Sequence, residues 1–169
     1  MRRRSLVTGG VALAAAGGGA FWSMRQLGGP NAQDAGLWDV KLTTPVAGGE
    51  VALASLRGKP LLVNFWATWC PPCVKELPQL DRFHREFAPR GWQVLGIAID
   101  SADAVREFLA KTPVGYPVGL GGLEGTTLAR TLGNESGALP FSVLFDANGR
   151  LTHRKLGETH FEELADWAG

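Results

Sequence analysis

Cysteine is scarce in this chain: two in 169 residues, Cys70 and Cys73. Two cysteines cannot make the multi-bridge framework that small secreted scaffolds depend on, and a chain this long has no need of one. Histidine is also sparse, with His84, His153 and His160 lying at no ligand-like spacing. A structural zinc site needs about four ligands. With no second cysteine pair, a closed zinc site is excluded as the main reading, and no metal or other cofactor is implied. Charge of one sign is missing too. The net charge is +1, and charged residues make up 20%, which gives no basic surface for nucleic acid. No internal repeat or long low-complexity block is present.

What is present is enough for one domain with a tail. Hydrophobic residues make up 45% of the chain, sufficient for a real core. The N-terminus reads as a targeting segment. Arg2, Arg3 and Arg4 form a positive region, and Leu6 to Met24 then runs without a charge. Such a run is a signal peptide or a membrane anchor, long enough for the roughly 17–25 residues of a spanning helix. Arg25 alone follows it directly, so the positive-inside rule sends the rest of the chain across the membrane. Arg3-Arg4-Ser5-Leu6 is similar to a twin-arginine signal, with Arg2 and Thr8 departing from that pattern. Gly18-Gly19-Ala20 offers a small-residue cleavage site, so cleaved and tethered forms both stay open. The expected layout is a leader over residues 1–27, a Gly/Pro-bearing linker over 28–36 and a folded domain over 37–169. The expected compartment is extracytoplasmic, periplasmic or tethered to the inner membrane.

Within the domain, Leu37 to Leu42 and Val51 to Leu53 predict a hairpin around Gly48-Gly49. Ser55-Leu56-Arg57-Gly58 predicts a helical turn. Leu61 to Trp66 is a continuous apolar run, suited to a central strand buried on both faces. Pro71 and Pro72 then open a helix, where a missing N–H costs little. Val74, Leu77, Leu80, Phe83 and Phe87 keep helical spacing to about Ala88, with Pro78 expected to kink the helix. Val94 to Ile99 predicts a strand, and Asp103 to Leu109 a helix capped by Asp100 or Ser101. A strand at Tyr116 to Leu120 and a helix at Thr126 to Leu132 follow. Phe141 to Phe145 and Leu151 to Lys155 flank Asn148-Gly149 as a hairpin, and Phe161 to Trp167 is the last helix. This order predicts an α/β fold with a mixed sheet and helices on both faces.

The two cysteines fall between the central strand and the first long helix. Free N–H groups and the helix dipole at that point favour a thiolate. Cys70 should therefore titrate below the free value of about 8.5, within the roughly 3.5–7.5 range of such sites. Cys70 is expected to attack a disulfide, and Cys73, one turn further in, to resolve the mixed disulfide.

Val63-Asn64-Phe65-Trp66-Ala67-Thr68-Trp69-Cys70-Pro71-Pro72-Cys73 resembles the active-site segment of the TlpA/ResA branch of the thioredoxin superfamily. Leu56-Arg57-Gly58-Lys59-Pro60 is similar to that branch's lead-in, and Glu76-Leu77-Pro78 to its helix. Nothing in the sequence suggests more than a monomer, and the resemblance implies a thioredoxin-like fold with an N-terminal β-hairpin extension. It also implies a thiol–disulfide oxidoreductase, acting as a reductase in cytochrome c maturation or copper-site assembly. Its partners would be disulfide-containing exported proteins and a membrane electron donor. It places the family's cis-proline at Pro140, after Leu139, where many members have Thr, Val or Ile. Leu139, Pro140 and Trp69 would then form the substrate-facing wall. Asn64 stands where thioredoxins carry a proton-exchanging Asp, and the resemblance moves that task to Glu76. The bland alternative for Glu76 is a solvated glutamate paired with Lys75 or Arg82. Trp66 is expected in the core, and Trp22, Trp38, Trp92 and Trp167 as anchor or core residues. Two other functions stay open: a peroxiredoxin-type peroxidase, with Thr68 before Cys70, and a copper-binding chaperone using the two thiolates.

Overall fold

A computed structural model describes residues 36–46 and 48–169. The expected leader, with Trp22, and all but the last residue of the expected linker lie outside the described residues. Among the described residues no helix is long and apolar enough to cross a membrane.

The described chain has seven strands and four α-helices, alternating only between its third and sixth strands. Strands β1 (Lys41–Thr43) and β2 (Glu50–Ala52) pair antiparallel as the expected hairpin. The core of the domain then runs β3 (Leu61–Trp66), α1 (Pro71–Phe87), β4 (Gln93–Ala98), α2 (Ala102–Lys111), β5 (Val118–Leu120) and α3 (Gly122–Thr131). Strands β6 (Phe141–Phe145) and β7 (Leu151–Leu156) follow, and α4 (Phe161–Ala168) closes the chain. The sheet order is β2-β1-β5-β4-β3-β6-β7. Strands β3, β4 and β5 are mutually parallel, and the outer pairings are antiparallel.

Strand β3 lies near the centre because every one of its six residues is buried. Its side chains alternate between two cores. Leu62 and Trp66 join α1, α2 and α4 on one face, with Leu77, Leu80, Phe83, Val105 and Leu164. Leu61, Val63 and Phe65 join α3 on the other, with Leu128 and Leu132. Asn64 shares the parity of Leu62 and Trp66, so it points towards α1. Ser142 does the same from β6, between Phe141 and Val143 of the opposite core.

Several expected boundaries shift. Leu37–Asp39 forms a short 3-10 turn rather than the start of a strand, because Leu37 and Trp38 are both buried, which a half-buried alternating strand does not allow. Leu53 leaves the second strand for another 3-10 turn, Leu53–Leu56, and is itself buried. The Asn148-Gly149 turn is longer than a two-residue connection. The Asp146 carboxylate accepts the Asn148 and Arg150 N–H groups at 2.9 Å each, and Gly149 takes a φ of +76° that suits glycine. Helix α1 runs through Pro78, which sits on its exposed side. Ser101 is the α2 cap, accepting the Ala104 N–H at 3.3 Å.

Candidate active site

The dithiol lies where β3 hands over to α1. Cys70 is the N-cap of α1, with extended backbone, and Pro71 and Pro72 fill the first helical positions. Its Sγ accepts the Cys73 N–H at 3.3 Å, so the sulfur itself satisfies one orphan donor of the helix start. The two sulfurs are bonded to each other, with Cα atoms 5.3 Å apart. Cys70 keeps 4% of its surface and Cys73 none, the asymmetry expected of an attacking and a resolving sulfur. Trp69, just before them, is 67% exposed. Trp66 is fully buried, its ring against Phe108 of α2, as its place in the apolar strand predicts.

One turn beyond Cys73, Glu76 has no exposed surface at all. Its Oε1 accepts from Asn64 Nδ2 at 2.6 Å. Its Oε2 accepts twice from Thr159, from the backbone N–H and from the hydroxyl, both at 2.8 Å. Asn64 Nδ2 also donates to Ser142 Oγ at 3.0 Å. The carboxyl is therefore held by three donors from β3 and the loop before α4. The solvated-glutamate alternative fails, since Lys75 pairs with Glu158 and Arg82 with Glu86 and Glu162. Burial pushes the Glu76 carboxyl above its ordinary value of 4.5; the Thr159 and Asn64 hydrogen bonds hold it down in part, and nearby Glu158 pushes it up again. On the same face, the buried Tyr116 hydroxyl is pushed up by burial first and then by Glu76 and Asp81.

The Leu139–Pro140 peptide bond is cis, as the resemblance places it. Pro140 is buried and Leu139 half-buried, packed against both cores. The Pro140 carbonyl accepts the Gly157 N–H at 2.8 Å, which ties the turn to the end of β7. The loop ahead of it is shaped by buried Asn134, which donates to the Ala138 carbonyl at 2.8 Å and accepts the Gly137 N–H at 3.1 Å.

Sequence reasoning passes over three partners. Thr159 and Ser142 are distant in sequence from Glu76 and carry no motif, so only the three-dimensional pairing finds them. Asp100 reads from sequence as a helix cap. Its carboxylate instead accepts from the backbone N–H of Thr68 at 3.1 Å and from the Thr68 hydroxyl at 2.5 Å. Among the described residues no group of three or more His, Cys, Asp or Glu side chains could hold a metal ion.

Comparison with known proteins agrees with this geometry. A model of the Redoxin family matches residues 30–167. The thiol-disulfide oxidoreductase ResA of Bacillus anthracis is 32% identical over 124 residues, 73% of this chain and 69% of its own. A crystal structure of a thiol:disulfide interchange protein of the thioredoxin family from Chlorobium tepidum TLS is 30% identical, with a TM-score of 0.65, covering 75% of this chain and 88% of that one. StoA from Bacillus subtilis, at 22% identity, shares the fold, with a TM-score of 0.63 over 77% of this chain and 96% of its own. With a C-x-x-C pair at the start of α1 on this thioredoxin-like sheet, the chain belongs to the redoxin family and is a thiol–disulfide oxidoreductase of the ResA type.

Proposed function

We propose that the protein is an extracytoplasmic reductase of disulfides in exported proteins, with Cys70 as nucleophile, Cys73 as resolving thiol and Glu76 as proton acceptor. The observation that carries this is the sealed pair of Cys73 and Glu76, one helical turn apart and both without exposed surface. In the first step the Cys70 thiolate attacks a substrate sulfur. A mixed disulfide forms, and one substrate thiolate leaves and takes up a proton. In the second step Cys73 gives its proton to Glu76 and attacks Cys70 Sγ. The second substrate thiol is released and the Cys70–Cys73 disulfide forms. Two electrons have passed to the substrate, and an outside dithiol must restore them.

Trp69, Leu139 and Pro140 are the wall against which an extended substrate docks. The exposed Trp69 ring and the half-buried Leu139 support that reading. Substrates of this class include the haem-site cysteines of apocytochrome c and the cysteines of copper-site assembly proteins. The arginine-led apolar segment supports export, with residues 1–27 as leader or inner-membrane anchor, 28–36 as linker and 37–169 as a monomeric domain supplied by a membrane electron donor.

The direction of electron flow is tested by the reduction potential of the Cys70–Cys73 pair, measured against a glutathione or dithiothreitol couple. A value near the thioredoxin figure of about −270 mV supports a reductase. A value near about −120 mV, that of a strong disulfide donor, overturns it.

A further inference from the structure

Asp100 follows β4, at the end of the sheet where β3 hands over to the dithiol, and its carboxylate is engaged in an unusual way. Oδ1 accepts the Ser101 N–H at 2.7 Å, an ordinary local turn. Oδ2 reaches across 32 residues and takes both donors of Thr68, the backbone N–H at 3.1 Å and the hydroxyl at 2.5 Å. A strand-end aspartate is usually explained as the cap of the next helix. That task belongs here to Ser101, whose hydroxyl accepts the Ala104 N–H. Asp100 is left with the loop instead. That loop is three residues long, Ala67 to Trp69, between the last residue of β3 and Cys70. It is tethered on one side by the Ile99 N–H on the Trp66 carbonyl at 2.8 Å, and on the other by the Cys70 N–H on the Ala67 carbonyl at 3.3 Å. Asp100 holds its midpoint.

We propose that Asp100 is a positioning residue that acts through Thr68: it fixes the loop before Cys70 and biases the dithiol towards the reducing side. A charge-assisted O–H···O⁻ bond is among the stronger hydrogen bonds a side chain makes, so the loop is held in one arrangement. The same carboxylate binds the residue two before Cys70, and so places negative charge beside the loop that carries the nucleophile. Helix α1 offers positive potential to a Cys70 thiolate, and Asp100 opposes it. Less thiolate stabilisation means a less stable dithiol and a pair that gives up electrons more readily. The other charged groups around this end are Glu76 and Lys75 on α1, Glu158 before α4, and Glu107 and Lys111 of α2. The last two line the same recess as Thr68 and pair with each other at 2.7 Å.

The test compares Asp100→Asn, Thr68→Val and Thr68→Ser in the full chain, reading the glutathione equilibrium constant and the pH midpoint of Cys70 alkylation. Asp100→Asn keeps an acceptor oxygen and removes the charge. It is expected to shift the equilibrium about two- to tenfold towards the dithiol and to lower the alkylation midpoint. Thr68→Val removes the hydroxyl that partly neutralises the carboxylate and is expected to move both quantities the opposite way. Thr68→Ser keeps the hydroxyl and is expected to match the parent. If Asp100→Asn changes thermal stability alone, or if it and Thr68→Val move both quantities with the same sign, Asp100 is a structural turn former and the proposal falls. Should Asp100→Asn fail to fold, the comparison of Thr68→Val with Thr68→Ser decides by itself.

Discussion

Glu76, the proton acceptor of the proposed mechanism, is fully buried and held by three hydrogen-bond donors. Its burial lifts the folded-state carboxyl above the ordinary 4.5, so the folded chain keeps this proton at pH values where the unfolded chain has lost it. The stability this contributes is complete below the ordinary carboxylate range and is lost as pH rises through the raised folded value. Urea unfolding of the oxidised protein from pH 4 to pH 8, run beside Glu76→Gln, should show that fall in the parent and a flatter profile in the variant. A parallel pair of curves would place the proton elsewhere. A turn of the Asn64 amide lets its Oδ1 accept from the side-chain amide that the substitution introduces, but it takes Asn64 Nδ2 away from Ser142 Oγ. The variant is therefore expected to be less stable than the parent at every pH while its profile stays flatter. With the fold intact, Glu76→Gln should slow the resolution step by about a hundredfold, the scale of a lost general base. Stopped-flow release of the second product thiol measures it, and an unchanged rate removes Glu76 from the mechanism. At this scale the sequence is legible where residues follow a motif, as for the placement of Cys70, Cys73, Glu76 and Pro140. It is silent on Thr159, Ser142 and the Asp100 tether, because their roles arise from pairs separated by 32 to 83 residues.

At the scale of elements, the site depends on how closely strands and helices approach. Gly119 in β5 faces Leu42 of β1, and a Cβ there would lie 2.6 Å from the Leu42 Cβ. That atom is fixed to the backbone, so β1 itself must move. Gly119→Ala should therefore destabilise the protein by about 1–3 kcal/mol, read by urea unfolding, while leaving the exchange rate of the folded dithiol near the parent's. Loss of activity at full stability would contradict the separation of this edge from the site. In the core on the opposite face of the sheet, Phe83 of α1 is fully buried and stacks on Phe87, ring centroids 4.5 Å apart. Phe83→Ala should cost about 3–5 kcal/mol in the same measurement; a loss under about 1 kcal/mol would mean α1 is not anchored there. Periodicity makes α1, β3 and β6 legible, since each is a run of apolar residues at one clear spacing. It misjudges Leu37 to Leu42, where a buried Trp38 and a 3-10 turn interrupt what reads as alternation.

At the scale of the folded domain, the sheet has a core on each face, and at one end of it the ends of β3 and β4, the start of β6 and the start of α1 meet. That end holds the Cys70–Cys73 pair, the cis-proline and the Thr68–Asp100 tether. The central claim is that Cys70 attacks first and Cys73 resolves. The most direct measurement reacts Cys73→Ser and Cys70→Ser, each reduced, with a disulfide-bearing peptide at neutral pH and follows the adducts by intact mass. Cys73→Ser should accumulate a stable mixed disulfide through Cys70, while Cys70→Ser, with its remaining sulfur buried, should react far more slowly. An adduct that forms faster on Cys70→Ser would reverse the roles of the two sulfurs.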